Sequence, residues 1–310
     1  MKDPVTTFWK ITIALACLLL LPVIIARVWS GNRVLTLDNG KIRVGASLKY
    51  GGAITYLSLS REDRNLINDH DRGRQVQQSY YAGQDIDRKA EGQRKNWSPW
   101  PWNPIGAGDA YGNKPRIVSA SNDGKTVYVK IVPLLWDMKN EFAECYFESW
   151  INLQDNAVHV RNKLTCFRRD DKWKAVPKQQ ELPAMYTIAD LSQLYTYEGP
   201  APFTHAPLTS ALKIGPPWTD YGRNMPHEKW AALADAHQWG VGIYNPIAEI
   251  FAGGIVGKPG GDTKSDSTGY LSPMRTETFD KNSVYQYDYY IIVGKVDEIR
   301  DFVYKAEGRS

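Results

Sequence analysis

Residues 144–167 constrain the fold more than any other part of this sequence. Apolar and polar side chains alternate on both sides of Asp155-Asn156, a turn dipeptide, which is the pattern of two antiparallel strands joined by a tight hairpin. With a two-residue turn, paired positions sum to 311. Cys145 then falls opposite Cys166, Phe147 opposite Leu164 and Ile151 opposite Val160, so one face is apolar and should meet a core. The other face carries Glu144, Tyr146, Glu148 and Trp150 beside His159, Arg161, Lys163 and Thr165. A sheet face that mixes carboxylates, bases and large rings is either solvated or the floor of a ligand site. In an oxidising compartment Cys145 and Cys166 could join in a cross-strand disulfide, provided that the pair is a non-hydrogen-bonded one.

The same alternation recurs over 33–37, 41–46, 54–59, 74–81, 126–132 and 284–293, with turn signals at Asp38-Asn39-Gly40 and Asn122-Asp123-Gly124. By the same pattern, the strands of the central hairpin are expected over 141–153 and 157–167. Asp297 to Ala306, with Ile299, Phe302 and Val303 at helical spacing, is the one convincing helix of this body. Residues 168–280 are rich in Pro and Gly and read as strands between long loops. No repeat and no shift of composition divides the chain, so 31–310 is expected to form one domain. The expected class is all-β: two antiparallel layers with few helices.

Residues 1–30 differ. Ile11 to Ala26 is an uncharged apolar run between Lys10 and Arg27, flanked by Trp9 and Trp29. It reads as a single transmembrane anchor or as a signal peptide cleaved near Val28-Trp29-Ser30. Either reading carries the domain to the non-cytosolic side of a membrane, tethered in the first case and secreted in the second.

Charge and composition exclude several partners. The chain has 38 basic and 34 acidic residues, and the first 30 hold a net +2 of the total +4. The small remainder argues against a nucleic-acid binder that works by phosphate neutralisation. Three cysteines make neither a disulfide scaffold nor a four-ligand zinc site. No HExxH, paired CxxC or phosphate-binding glycine loop occurs, so no metal or cofactor is expected. Eleven Trp and 18 Tyr against 8 Phe favour half-wet aromatic surfaces.

Two clusters carry that surface chemistry. Asn68 to Gln75 runs into Gln77, Gln78, Tyr80 and Tyr81, and its guanidinium and amide groups suit paired hydrogen bonds to vicinal hydroxyls or a carboxylate. Arg72, Arg74, Gln77 and Tyr80 are the ligand candidates there; a loop closed by its own Asp–Arg pairs is the plainer alternative. Trp97-Ser98-Pro99-Trp100-Pro101-Trp102 is a proline-stiffened loop that displays indoles, or else one pinned by its own packing. Trp102 and Trp150 are the stacking candidates. Asp109 follows two glycines, Glu181 precedes Pro183 near a strand end, and Glu144 lies on the mixed face of the hairpin. His227 stands in a loop before a strand. These four are the acid/base candidates, with Glu144 and Glu181 as the carboxylate pair that glycosidic cleavage requires.

The opening of the domain, RVLTLDNGKIRVGASLKYGGAITYLSLS followed by NLINDHDRGRQ, and the segment KWAALADAHQWGVGIYNP (Lys229 to Pro246) resemble the galactose-mutarotase-like supersandwich. That superfamily includes aldose epimerases and the sandwich domains of glycoside hydrolases and polysaccharide lyases. The resemblance is to the architecture and implies a β-supersandwich that handles carbohydrate. In aldose epimerases a His acts as acid and a Glu as base on the sugar ring; no residue here takes its role from that comparison. The expectation is a membrane-tethered protein acting on an oligo- or polysaccharide, with hydrolysis first. A non-catalytic glycan-binding or assembly subunit, an epimerase and a lyase are the alternatives.

Overall fold

The computed structural model describes residues 33–309, except 212–214, 216–218 and 222–226. The apolar run Ile11–Ala26 lies outside the described residues, among which no helix is long and apolar enough to cross a membrane.

Described strands in chain order begin with β1 (Val34–Asp38), β2 (Ile42–Ser47), β3 (Ala53–Leu59), β4 (Val76–Ser79), β5 (Ala82–Ile86), β6 (Trp100–Trp102) and β7 (Pro104–Ile105). The middle of the chain gives β8 (Arg116–Asn122), β9 (Thr126–Val132), β10 (Leu134–Leu135), β11 (Cys145–Gln154), β12 (Ala157–Cys166) and β13 (Lys178–Ile188). Then come β14 (Gln193–Thr196), β15 (Thr209–Ala211), β16 (Thr219–Tyr221), β17 (Trp230–Ala234), β18 (Trp239–Tyr244), β19 (Ile250–Val256), β20 (Thr268–Glu277) and β21 (Val284–Lys295). One sheet runs β1-β2-β3-β4-β13-β20-β19-β16, with β7 bridging β4 to β10. The second runs β15-β14-β17-β18-β21-β12-β11-β9-β8, and β5 pairs with β6 apart from both.

The two large sheets form a sandwich. Leu57, Met185, Ile255 and Leu271 of the first meet Phe147, Val160, Val241 and Ile291 of the second in one buried core. The central hairpin has the register read from its sequence, from Cys145↔Cys166 to Gln154↔Ala157, with Asp155 at φ 55° in the turn. Two expected strands are shorter than their alternation. Residues 74–81 keep only Val76–Ser79 in the ladder, because the Tyr81 amide turns to the Gln180 side chain. Residues 141–143 leave the hairpin to bond with 133–135.

The C-terminal helix (Val296–Ala306) lays Val296, Ile299 and Val303 on the outer face of the second sheet, against Trp230, Ala232 and Ile292. Gly242 permits this approach: a Cβ there would lie 2.4 Å from Ile299 Cγ2. A buried ion pair pins the helix. Glu228, with no exposed surface, accepts from Arg300 Nη2 at 2.8 Å, Trp230 Nε1 at 2.9 Å and Tyr304 Oη at 2.7 Å.

Candidate functional site

A cleft of about 790 Å³ opens over β4 and β13 and is walled by the loops that carry Arg72, Trp97 and Asp109. It brings together Arg72, Arg74, Gln77, Asp109 and Glu181 of the residues expected from sequence. A slightly larger hollow, about 900 Å³, lies beside Trp239, Tyr290 and Phe302 and holds none of them.

Glu181, paired with Met274 and Ser79, is the last regular position before β13 breaks register, and its carboxylate lines the cleft. Its Oε2 accepts from Tyr81 Oη at 3.0 Å and its Oε1 from Tyr270 Oη. Burial pushes both phenols well above their ordinary pKa, and the Glu181 charge adds to the shift. They therefore remain protonated donors to the carboxylate.

Rings line the same cleft. Trp97 meets Trp100 edge to face at 4.9 Å and Trp136 at 6.1 Å, and Trp100 meets Tyr81 at 6.2 Å. Roughly perpendicular indoles leave ring faces available for stacking. Gly73 makes room for this wall, since a Cβ there would come within 3.2 Å of Trp136.

Two of the expected ligand groups hold the wall in place. Gln77 donates to Gly73 O at 2.9 Å and accepts from Ala107 N at 2.8 Å. Arg72 Nη1 donates to Ala107 O at 2.7 Å, so a single residue's main chain is gripped at both its N–H and its C=O. Gly108, at φ 125°, leaves space for the Arg72 stem, which a Cβ would approach to 3.0 Å. Arg74 pairs with Asp71 at 3.2 Å and with Asp266 at 2.8 Å. The plainer alternative of a loop closed by Asp–Arg pairs thus describes Arg74.

The remaining expected residues are placed differently. Asp109, though it lines the cleft, is fully buried, and its oxygens accept from Tyr111 N, Asn113 N, Asn113 Nδ2 and Asn140 N, which ties its loop to the segment of Asn140. Tyr80 is buried in the core against Phe147, and Trp102 is buried beneath the Arg168 guanidinium. Neither ring reaches the cleft. Trp150 packs on Tyr128 at 5.1 Å on the outer face of the other sheet. Glu144 accepts from Arg169 N, away from Glu181, and does not line the cleft. His227 lies outside it too: Nε2 donates to Glu249 O, Nδ1 accepts from Lys229 N, and burial holds the ring below its ordinary pKa.

Sequence reasoning missed Trp97, Trp100, Trp136, Tyr81 and Arg94 as cleft residues. Trp97 and Trp100 stood in the motif already singled out; Arg94 lies in an irregular loop with no period to mark it. Among the described residues, no group of three or more His, Cys, Asp or Glu could hold a metal ion.

No family model matches the sequence, and no curated protein does. Solved structures do match. A candidate aldose 1-epimerase from Escherichia coli K12 superposes with a TM-score of 0.50 at 10% identity, covering 85% of this chain and 99% of that one. The Slr1438 protein of Synechocystis sp. PCC 6803 gives 0.51 at 8% identity over 87% and 99%. A galactose mutarotase-like protein from Lactobacillus casei ATCC 334 gives 0.48 at 12% identity over 84% and 100%. This chain has the galactose mutarotase-like fold. At such identities the likeness extends to the architecture alone, and activity has to be argued from the cleft.

Proposed function

We propose that the protein binds a saccharide in the cleft between Glu181 and the Trp97–Trp100–Trp136 wall. The observation that carries this reading is the meeting, in one hollow, of indole faces, guanidiniums and a carboxylate held by two phenols. Rings stack on the apolar faces of pyranoses, while amides, guanidiniums and carboxylates bond vicinal hydroxyls. The fold supports the reading, because proteins of this architecture include sugar-handling enzymes. The uncharged run Ile11–Ala26 supports a tether or an export signal, which would place the cleft outside the cytosol.

Recognition without hydrolysis fits the described cleft better than a carboxylate pair does. Its carboxylates among the described residues are Asp71, Asp109 and Glu181. Asp71 is engaged by Arg74 and Gly73 N, and Asp109 by its own loop and Asn140 N, whereas two catalytic carboxylates must both reach the glycosidic bond. A second reading rests on Glu181 itself: a carboxylate flanked by two phenols can exchange a proton with a bound sugar, as single-site acid/base chemistry requires.

Affinity electrophoresis through a panel of polysaccharides, run with a reducing-end assay, tests both. Retardation without release supports recognition. Release abolished by Glu181→Gln would move the assignment to an enzyme, and failure to retard any glycan would remove the saccharide reading.

A further inference from the structure

The cleft's three carboxylates and three guanidiniums balance in number but are not all paired in contact. Each of its carboxylates is satisfied by the protein: Asp71 by Arg74 and Gly73 N, Asp109 by four N–H groups, Glu181 by the hydroxyls of Tyr81 and Tyr270. Two of its three guanidiniums have no carboxylate in contact among the described residues. Arg72 donates only to the carbonyls of Ala107 and Lys49 and lies over the Tyr50 ring at 4.9 Å. Arg94 donates to Ala110 O and lies over the Tyr111 ring at 5.6 Å. In both, Nε and Nη2 make no hydrogen bond to the described protein.

Building on the saccharide reading above, we propose that this cleft selects an anionic sugar, one carrying a carboxylate or a phosphate ester, with Arg94 and Arg72 as the groups that meet the negative charge. A guanidinium presents a planar fork of donors that matches either oxyanion, and it stays charged at any working pH. Neutral hydroxyls would leave those guanidiniums with no anion in contact. Burial lowers the Arg72 pKa, and the nearby Asp109 charge, which makes no ion pair with it, opposes that shift only in part. Arg94 is exposed on a loop, where its replacement should not disturb the fold.

Titration calorimetry on the intact chain is the test, with four probes: galacturonate oligomers, matched galactose oligomers, glucose 6-phosphate and glucose. We expect an acidic probe to bind at least about tenfold more tightly than its neutral match, as charge-assisted hydrogen bonds require. Arg94→Ala should erase most of that preference, weakening the acidic probes severalfold more than their neutral matches, and Arg94→Lys should restore part of it. The oligomer and phosphate arms show which anion is meant. Equal affinity for acidic and neutral sugars, or a preference untouched in Arg94→Ala, overturns the proposal and leaves saccharide binding standing. Binding of none of the four overturns the saccharide reading with it.

Discussion

Tyr81 donates its hydroxyl to Glu181 at 3.0 Å, and through this bond the link between β4 and β5 shares a polar centre with β13. The same two segments meet again where Gln180 accepts from Tyr81 N at 2.8 Å and donates back to Tyr81 O at 2.8 Å. Glu181 is therefore fixed from both its side chain and its neighbour. Replacing it with Gln keeps the shape but removes the charge. Saccharide affinity should fall by about tenfold, the value of a hydrogen bond to a charged group, with the melting temperature nearly unchanged. Calorimetry beside a thermal melt checks this, and wild-type affinity in the variant would remove Glu181 from the site.

The indoles should separate by place. Trp97→Ala or Trp100→Ala removes a ring face from the cleft and should weaken glycan retardation by about tenfold, a loss of roughly 1–1.5 kcal/mol of stacking. Trp150→Ala, on the outer face of the other sheet, should leave retardation unchanged. An equal effect of Trp150→Ala would move the binding surface to that sheet.

Glu228 makes a prediction about acid. Burial opposes its charge, but bonds from Arg300, Trp230 and Tyr304 outweigh that and hold its pKa below the ordinary value. A carboxyl with a depressed folded pKa contributes stability that is present above its unfolded value, near 4.5, and is lost as pH falls through the folded value. Glu228→Ala strands the Arg300 guanidinium and should cost about 3–5 kcal/mol at neutral pH. Glu228→Gln should cost less and flatten the loss of stability below pH 4.5. Denaturant titrations at several pH values read both effects.

Cys145 and Cys166 are opposite each other, buried and free, and neither donates its amide to the other: Cys145 N goes to Ala143 O and Cys166 N to Ser283 O. That is the closer kind of antiparallel pair, the condition set for a cross-strand bridge. Protein recovered from an oxidising compartment should yield a Cys145–Cys166 linked peptide in non-reducing mass mapping. Two alkylatable thiols in that sample would exclude the bridge.

The central hairpin was legible because a two-residue turn fixes register and a period of two then fixes both faces. β13 was not, because Pro183 and the break between Glu181 and Met185 interrupt its alternation just past the residue that lines the cleft. The Trp–Pro loop announced indoles but not which of them stay in the open. Trp102 shares its parity with Trp100, yet it is buried where Arg168 and the core cover it, a contact made by residues more than sixty positions away. Glu228 gave no signal, since the groups that balance it, Arg300 and Tyr304, are distant in sequence.

The double grip on Ala107 has a consequence for kinetics. With its N–H held by Gln77 and its C=O by Arg72, the rim of the hollow is already set before a guest arrives. A rim of this kind owes little ordering entropy on capture, so free and occupied forms should nearly coincide in backbone and encounter should need no slow rearrangement.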